Sequence, residues 1–256
     1  MTPRPLYLDP AVPWLVRLED GVALGIAGEG RTRSLYPLRR LSRVVCGRRA
    51  QWCSEALLAC LEAGVPIVFT DTRRGTIGWC FGARRRETTL AQLLREGLTH
   101  PEWPSRFDAW LAAVQRREMR AALAALGQRT HRLDALHVRA LLSNHLRQRI
   151  GAPAGRWLRA LHLACGALAA EAAQRLVGDP ALLAFARPGL HLPQTLAALL
   201  EWREHRLLHE WPLAELRSTP PERLAAMALE SRSALLHRGC GEFLGDLELA
   251  LREWLL

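Results

Sequence analysis

Apolar and polar positions alternate over the first third of the chain and recur at helical spacing over the rest. Leu6-Tyr7-Leu8 reads as a short strand. Trp14 to Leu18 and Val22 to Ile26 read as a hairpin closed by Asp20-Gly21, a dipeptide that tolerates the positive φ of a type I′ turn. Ser42 to Cys46 is a hydrophobic strand, and after Gly47 a helix is expected from near Ser54, whose hydroxyl can accept from the free amides of a first turn. That helix stops at Gly64. Val65 to Phe69 is β-branched and aromatic and reads as a buried strand; Arg73-Arg74-Gly75 is a turn before the extended piece Thr76 to Phe81.

Beyond Thr88 strand signals give way to Ala/Leu-rich segments. Breaks fall at His100 to Pro104, Gly151 to Pro153, Gly178 to Pro180 and Thr219 to Pro221. The spacing predicts helices over Phe107 to Leu126, Leu133 to Arg149, Arg156 to Val177, Thr195 to His209, Glu222 to Leu236 and Glu242 to Leu255. The fold class is therefore α+β. A small β-rich amino-terminal domain, 1–87, precedes an all-helical domain, 88–256, with no sheet expected after Thr130.

Composition changes this picture little, and charge changes it more. At 256 residues and 49% hydrophobic the chain is long and apolar enough for a sizeable core, which excludes disorder. No apolar run approaches a bilayer span, and MTPRPLYLDP lacks the apolar centre of a signal peptide, so a cytoplasmic location is expected. The six cysteines show no CxxC spacing and read as small core hydrophobes. All 35 basic residues are arginine, and the net charge is +10. A GC-rich genome accounts for arginine over lysine but not for the excess of base over acid, which suits a polyanion such as DNA. Arg39, Arg40, Arg84, Arg85, Arg86, Arg116, Arg117, Arg187 and Arg203 are the candidate DNA contacts. Each is also readable as an ordinary solvated or salt-bridged position. Most of the nine tryptophans read as core or domain contacts, with Trp157 and Trp202 as the candidates for base stacking against that reading.

The run Leu35 to Gly82, with the Pro5-Leu6-Tyr7-Leu8 opening, resembles the amino-terminal domain of the CRISPR spacer-acquisition integrases, and the likeness continues more weakly through the helices. The resemblance implies a β-rich domain that dimerises and sits against DNA. It also implies double-stranded or branched DNA and a small ferredoxin-like adaptation protein as partners, and spacer acquisition in antiviral defence as the setting. In that family a glutamate, a histidine and a second carboxylate of the helical domain hold Mg²⁺ or Mn²⁺ for phosphoryl transfer.

Residue by residue, the family's signatures are eroded here. The stretch Ile150-Gly151-Ala152-Pro153-Ala154-Gly155-Arg156-Trp157 matches the first signature with Ile150 in place of the glutamate. The second falls on Gly178-Asp179-Pro180 to Arg187, with Ala186 or Arg187 at the histidine position and His191 reachable only by a shifted register. The third, Ala198-Leu199-Leu200-Glu201-Trp202-Arg203, keeps Glu201 and loses the aspartate to Ala198. Candidate catalytic residues are therefore Glu201, His191 and the unaligned acid Glu171, with Glu201 and His191 as metal ligands. Separately, Glu201, His205 and His209 recur every four residues on one helix face, a spacing that suits a transition metal or a hydrated, salt-bridged surface.

With its signatures eroded, the resemblance implies a DNA-binding assembly subunit with little or no catalysis, and Mg²⁺ or Mn²⁺ as the cofactor if the chain is active, or none. The alternative is an active, metal-dependent integrase or endonuclease, and a third reading is a helical adaptor that does not bind DNA.

Overall fold

The computed structural model describes residues 3–28, 33–71, 75–82, 87–129, 131, 133–151, 154–183, 190–205 and 207–255. They fall into two compact units. The first takes residues 1–91 and 170–184, and the second takes 92–169 and 185–256.

The first unit holds two four-stranded sheets. Strands β1 (Arg4–Tyr7), β5 (Leu41–Gly47), β7 (Ile67–Asp71) and β8 (Gly75–Cys80) form one in the order β1-β5-β7-β8; its first two pairings are parallel and its last antiparallel. Strands β2 (Trp14–Glu19), β3 (Ala23–Gly28), β4 (Ser34–Pro37) and β6 (Gln51–Trp52) form the other in the order β4-β3-β2-β6.

The β2–β3 hairpin carries the anticipated chemistry, since Asp20 and Gly21 have φ of 50° and 70° and Val22 N donates to Glu19 O at 3.1 Å. Val22 completes the turn, so β3 starts one residue later than its β-branched side chain suggested. One apolar core joins both sheets and the first helix, with Leu6, Val16, Leu24, Ile26, Val44, Cys46, Cys60 and Ile67 among its buried members. Of the turn expected at Arg73-Arg74-Gly75, the two arginines lie outside the described residues.

Helix α1 (Ser54–Glu62) links the parallel strands β5 and β7. Its cap differs from expectation: Cys53 stands at the N-cap with extended backbone, and its Sγ accepts from Ala56 N at 3.4 Å, which places Ser54 inside the first turn. At the other end Gly64, with φ 71°, and Val65 N donating to Cys60 O at 2.8 Å close a Schellman motif, which needs a left-handed residue there.

Helices supply the remainder: α2 (Thr89–Thr99), α3 (Trp103–Ala125), α4 (Ala135–Ile150), α5 (Ala154–Val177), α6 (Pro180–Leu183), α7 (Leu192–Glu204), α8 (Leu207–Glu210), α9 (Leu213–Ser218), α10 (Pro221–Ser231) and α11 (Ser233–Trp254). No strand follows β8 among the described residues, so the chain is α+β with its sheets first.

Boundaries moved where a breaker residue proved compatible with a helix. Pro104 lies in the first turn of α3, where a missing amide costs nothing, so that helix starts at Trp103 rather than Phe107. Pro193 likewise lies in the first turn of α7, which starts at Leu192 and gives way after Glu204 rather than continuing to His209. The break expected between Leu236 and Glu242 is absent. Instead α11 runs through Gly239 and Gly241, and the chain turns at Arg232.

Gly239 has a packing reason for lacking a side chain: a Cβ there would lie 2.6 Å from Arg203 Nη1. That guanidinium ties three helices of the second unit. Arg203 on α7 donates to both oxygens of Glu118 on α3 at 3.2 Å and to Glu242 on α11 at 2.9 Å, and lies 4.3 Å over the Phe243 ring. Glu118 is only 5% exposed, and its charge is met by this guanidinium and, more loosely, by Arg117 Nε at 3.4 Å. Replacing Arg203 with Ala should therefore lower unfolding free energy by about 2 kcal/mol, below the range for a fully buried pair because Arg203 itself is partly exposed. Urea denaturation measures the loss, and a change within about 0.5 kcal/mol, the range of ordinary surface substitutions, would contradict the assignment.

Candidate functional site

In the second unit the carboxylate of Glu201 is the focus of three helices. It extends from the last turns of α7 and has 14% side-chain exposure. His162 on α5 places Nδ1 3.1 Å from Glu201 Oε2, and Arg139 on α4 places Nη2 3.6 Å from the same oxygen. An ionised carboxylate only accepts, so Nδ1 carries the proton. Burial pushes the Glu201 carboxyl up, but the His162 hydrogen bond and the Arg139 charge outweigh it and hold the group below the ordinary carboxylate range. Arg139 also lies 5.2 Å over the ring of Trp202, which is 2% exposed.

One turn further on, three imidazoles meet. The ring centroids of His145 and His209 are 4.8 Å apart and those of His205 and His209 5.4 Å apart. Burial drives His205 down to about 4, and burial with the nearby His205, His145 and Arg149 drives His209 down to about 3. Arg149 donates to Leu208 O at 3.0 Å and also to Trp211 O, which fixes α8 against the end of α4. The spacing of Glu201, His205 and His209 thus sets an ionised carboxylate one turn before two neutral, largely packed imidazoles. Among the described residues no group of three or more His, Cys, Asp and Glu side chains is placed to hold a metal ion.

The other candidate residues lie apart. Glu171 belongs to the first unit, where it is ion-paired with Arg43 of β5, a residue 1% exposed that also donates to Tyr7 Oη at 3.0 Å. An arginine within the apolar strand Leu41 to Gly47 was a legible sign that a buried carboxylate would meet it. His191 stands at the N-cap of α7 with φ −136°, its carbonyl accepting from Thr195 N at 2.9 Å. Ile150 ends α4. With Glu171 held by arginine, Glu201 held by histidine and arginine, and Ile150 offering no oxygen, the donors do not fit a Mg²⁺ or Mn²⁺ ion, which needs several converging oxygens.

Of the candidate DNA contacts, Arg39, Arg40 and Arg116 are exposed and make no ion pair with another described residue. Arg117 is exposed too but bonds Asp246 at 3.0 Å, and Arg203 is the inter-helical tie already described. Arg84, Arg85, Arg86 and Arg187 lie outside the described residues. Trp157 and Trp202 are 1% and 2% exposed, so neither offers a ring face to a base. The buried cysteine thiols behave as core hydrophobes: burial pushes Cys46 and Cys60 up to about 12 and raises Cys165 well above the usual thiol range, whereas the partly exposed Cys53 is the cap of α1. Among the described residues no helix is long and apolar enough to cross a membrane.

No protein-family model and no curated protein matches the sequence. Solved structures do match it. A crystal structure of a TtCas1–DNA complex is 16% identical, covering 94% of this chain and 90% of that one with a TM-score of 0.61. A CAS1 protein from Thermotoga maritima is 12% identical over 97% of both chains, TM-score 0.65. A casposase bound to its integration product is 11% identical over 92% of this chain and 82% of that one, TM-score 0.56. The fold is the one these Cas1 and casposase structures share. Within that class it is the fold of the Cas1 proteins, in agreement with the spacer-acquisition resemblance.

The imidazole cluster sets a pH dependence. In the unfolded chain His205 and His209 protonate near 6.5, whereas in the fold they stay neutral to well below it. The unfolded state therefore binds more protons as pH falls from 6.5 toward 4, and stability falls with it, by up to about 1.4 kcal/mol per pH unit for the fully buried His205. Glu201, held low, adds a loss in the same direction below about pH 4.5. Urea midpoints should drop between pH 7 and pH 5, and the double variant His205→Asn, His209→Asn should flatten that drop. An equal slope in both proteins would contradict the account.

Proposed function

We propose that this chain is a DNA-binding assembly subunit of the spacer-integrase type, which holds duplex or branched DNA without carrying out strand transfer itself. The observation that carries this reading is the state of the acids. Glu201 and Glu171 are already engaged by cationic or hydrogen-bonding side chains, and Ile150 occupies the aligned glutamate position. Support for DNA as the partner comes from the net charge of +10 and from the fold's likeness to Cas1 in complex with DNA and to a casposase on its integration product. The exposed Arg39, Arg40 and Arg116 are the described positions that would meet phosphates, joined in this reading by Arg84, Arg85, Arg86 and Arg187. The same reading brings a homodimer formed through the first unit, a small ferredoxin-like adaptation protein as companion, and a cytoplasmic site of action.

Binding should be nearly indifferent to sequence and steeply salt-dependent. If roughly four to eight phosphates are neutralised, log K against log salt has a slope near −4 to −7 by counterion release. Replacing Arg84, Arg85 and Arg86 together should flatten it, and absence of binding to duplex and branched DNA at low salt would overturn the reading. In a paired strand-transfer assay with Mn²⁺, wild type and Glu201→Ala should be equally inactive while both bind DNA. Robust transfer by wild type, abolished by Glu201→Ala or His191→Ala, would instead establish the active integrase.

A further inference from the structure

Glu201 is far less exposed than the two side chains that meet it, and that difference has a use. Glu201 is 14% exposed, whereas Arg139 is 50% and His162 42% exposed. The carboxylate therefore lies behind, and the guanidinium faces outward. Arg139 is held from two sides, by the Glu201 oxygen at 3.6 Å and by the Trp202 ring at 5.2 Å. It makes no hydrogen bond to another described residue and is half exposed, so donors of its guanidinium stay available to solvent while the Glu201 and Trp202 contacts restrict its rotamers. An arginine usually loses rotamer freedom when it grips an anion, and here much of that loss has already been taken by packing.

We infer that Arg139 is a pre-set phosphate seat, in which a single DNA phosphodiester docks on the outer edge of the guanidinium while Glu201 and His162 act behind it as positioning residues. This rests on the DNA-binding reading and deepens it. The ligand class follows from the donor geometry: a planar fork with parallel N–H groups matches two oxygens of one phosphate. In this arrangement the cation beside Glu201 is built into the chain, so the contact needs no metal ion. Glu201 also moderates the seat, because its negative charge partly cancels the guanidinium seen by an approaching phosphate. Removing that charge strengthens the contact, whereas a metal-ligating glutamate would weaken it on removal.

Fluorescence anisotropy with a labelled branched DNA, run in EDTA and again in Mn²⁺, tests this with wild type, Arg139→Gln, Arg139→Lys and Glu201→Gln. Arg139→Gln should bind about tenfold more weakly and lower the salt slope by about one, the share of a single phosphate. Arg139→Lys should keep the slope while losing part of the affinity, since it retains charge without the fork. Glu201→Gln should bind several-fold more tightly than wild type, equally in EDTA and Mn²⁺. Thermal melts of each variant separate a binding change from unfolding, and Arg139→Lys carries the test if Arg139→Gln melts early. The inference is overturned, with DNA binding still standing, if wild type binds and Arg139→Gln or Arg139→Lys at unchanged melting temperature shows, respectively, wild-type affinity and slope or a slope lowered by one. It is also overturned if Glu201→Gln loses a Mn²⁺-dependent part of the binding. Failure of wild type to bind at any salt would overturn the DNA-binding reading itself.

Discussion

A carboxylate removed from water must find a cation or a set of donors, and four acids of this chain meet that requirement with arginine. Glu171 pairs with Arg43, Glu118 with Arg203, Glu204 with Arg232 at 3.3 Å, and Glu201 with Arg139 and His162. An unpaired buried charge of this kind costs several kcal/mol, so each pair constrains which elements can lie together. Arg43 fixes β5 to the end of α5 within the first unit, and Arg203 fixes α3, α7 and α11 within the second. The basic excess therefore serves two ends. Some arginines are counter-ions of the core, and the exposed remainder, which includes Arg39, Arg40 and Arg116, is what the proposed DNA contact would draw on.

The same constraint bears on chemistry. A metal-dependent phosphoryl transfer needs acids left open to an ion, with donors converging from several elements. Glu201 faces a guanidinium and an imidazole instead, and the histidines one and two turns beyond it stack as neutral rings. The fold matches Cas1 structures over nearly the whole chain, while Glu201 and Glu171, the candidate acids, are engaged by side chains of this chain. Fold and chemistry are separable in this way because the helices need only apolar faces and paired charges, whereas catalysis needs particular donors at particular places.

Local signals in the sequence were legible because the physics they report is local. Asp20-Gly21 closes a hairpin, Gly64 ends a helix, and the β-branched run after Val65 forms a buried strand. Errors arose where tertiary contacts overrode a local rule. Cys53 caps α1 in preference to the hydroxyl of Ser54, Gly239 continues a helix where Arg203 needs the space, and α2 was passed over although Leu90, Ala91 and Leu94 recur at helical spacing and are buried. The partners of Glu201 were not legible, since Arg139 and His162 lie 62 and 39 residues away and meet it only once three helices have packed. The pairing of Glu171 with Arg43 did carry a signal that went unread, because a charge inside an apolar strand announces a partner.

The central claim is that Glu201 belongs to an arginine and a histidine rather than to a metal ion. Titration of Mn²⁺ into the purified chain, followed by calorimetry or by the electron spin resonance of free Mn²⁺, tests it most directly. The account predicts no saturable site at micromolar Mn²⁺ and an unchanged isotherm for Glu201→Gln. A stoichiometric site in wild type that disappears in Glu201→Gln would contradict it.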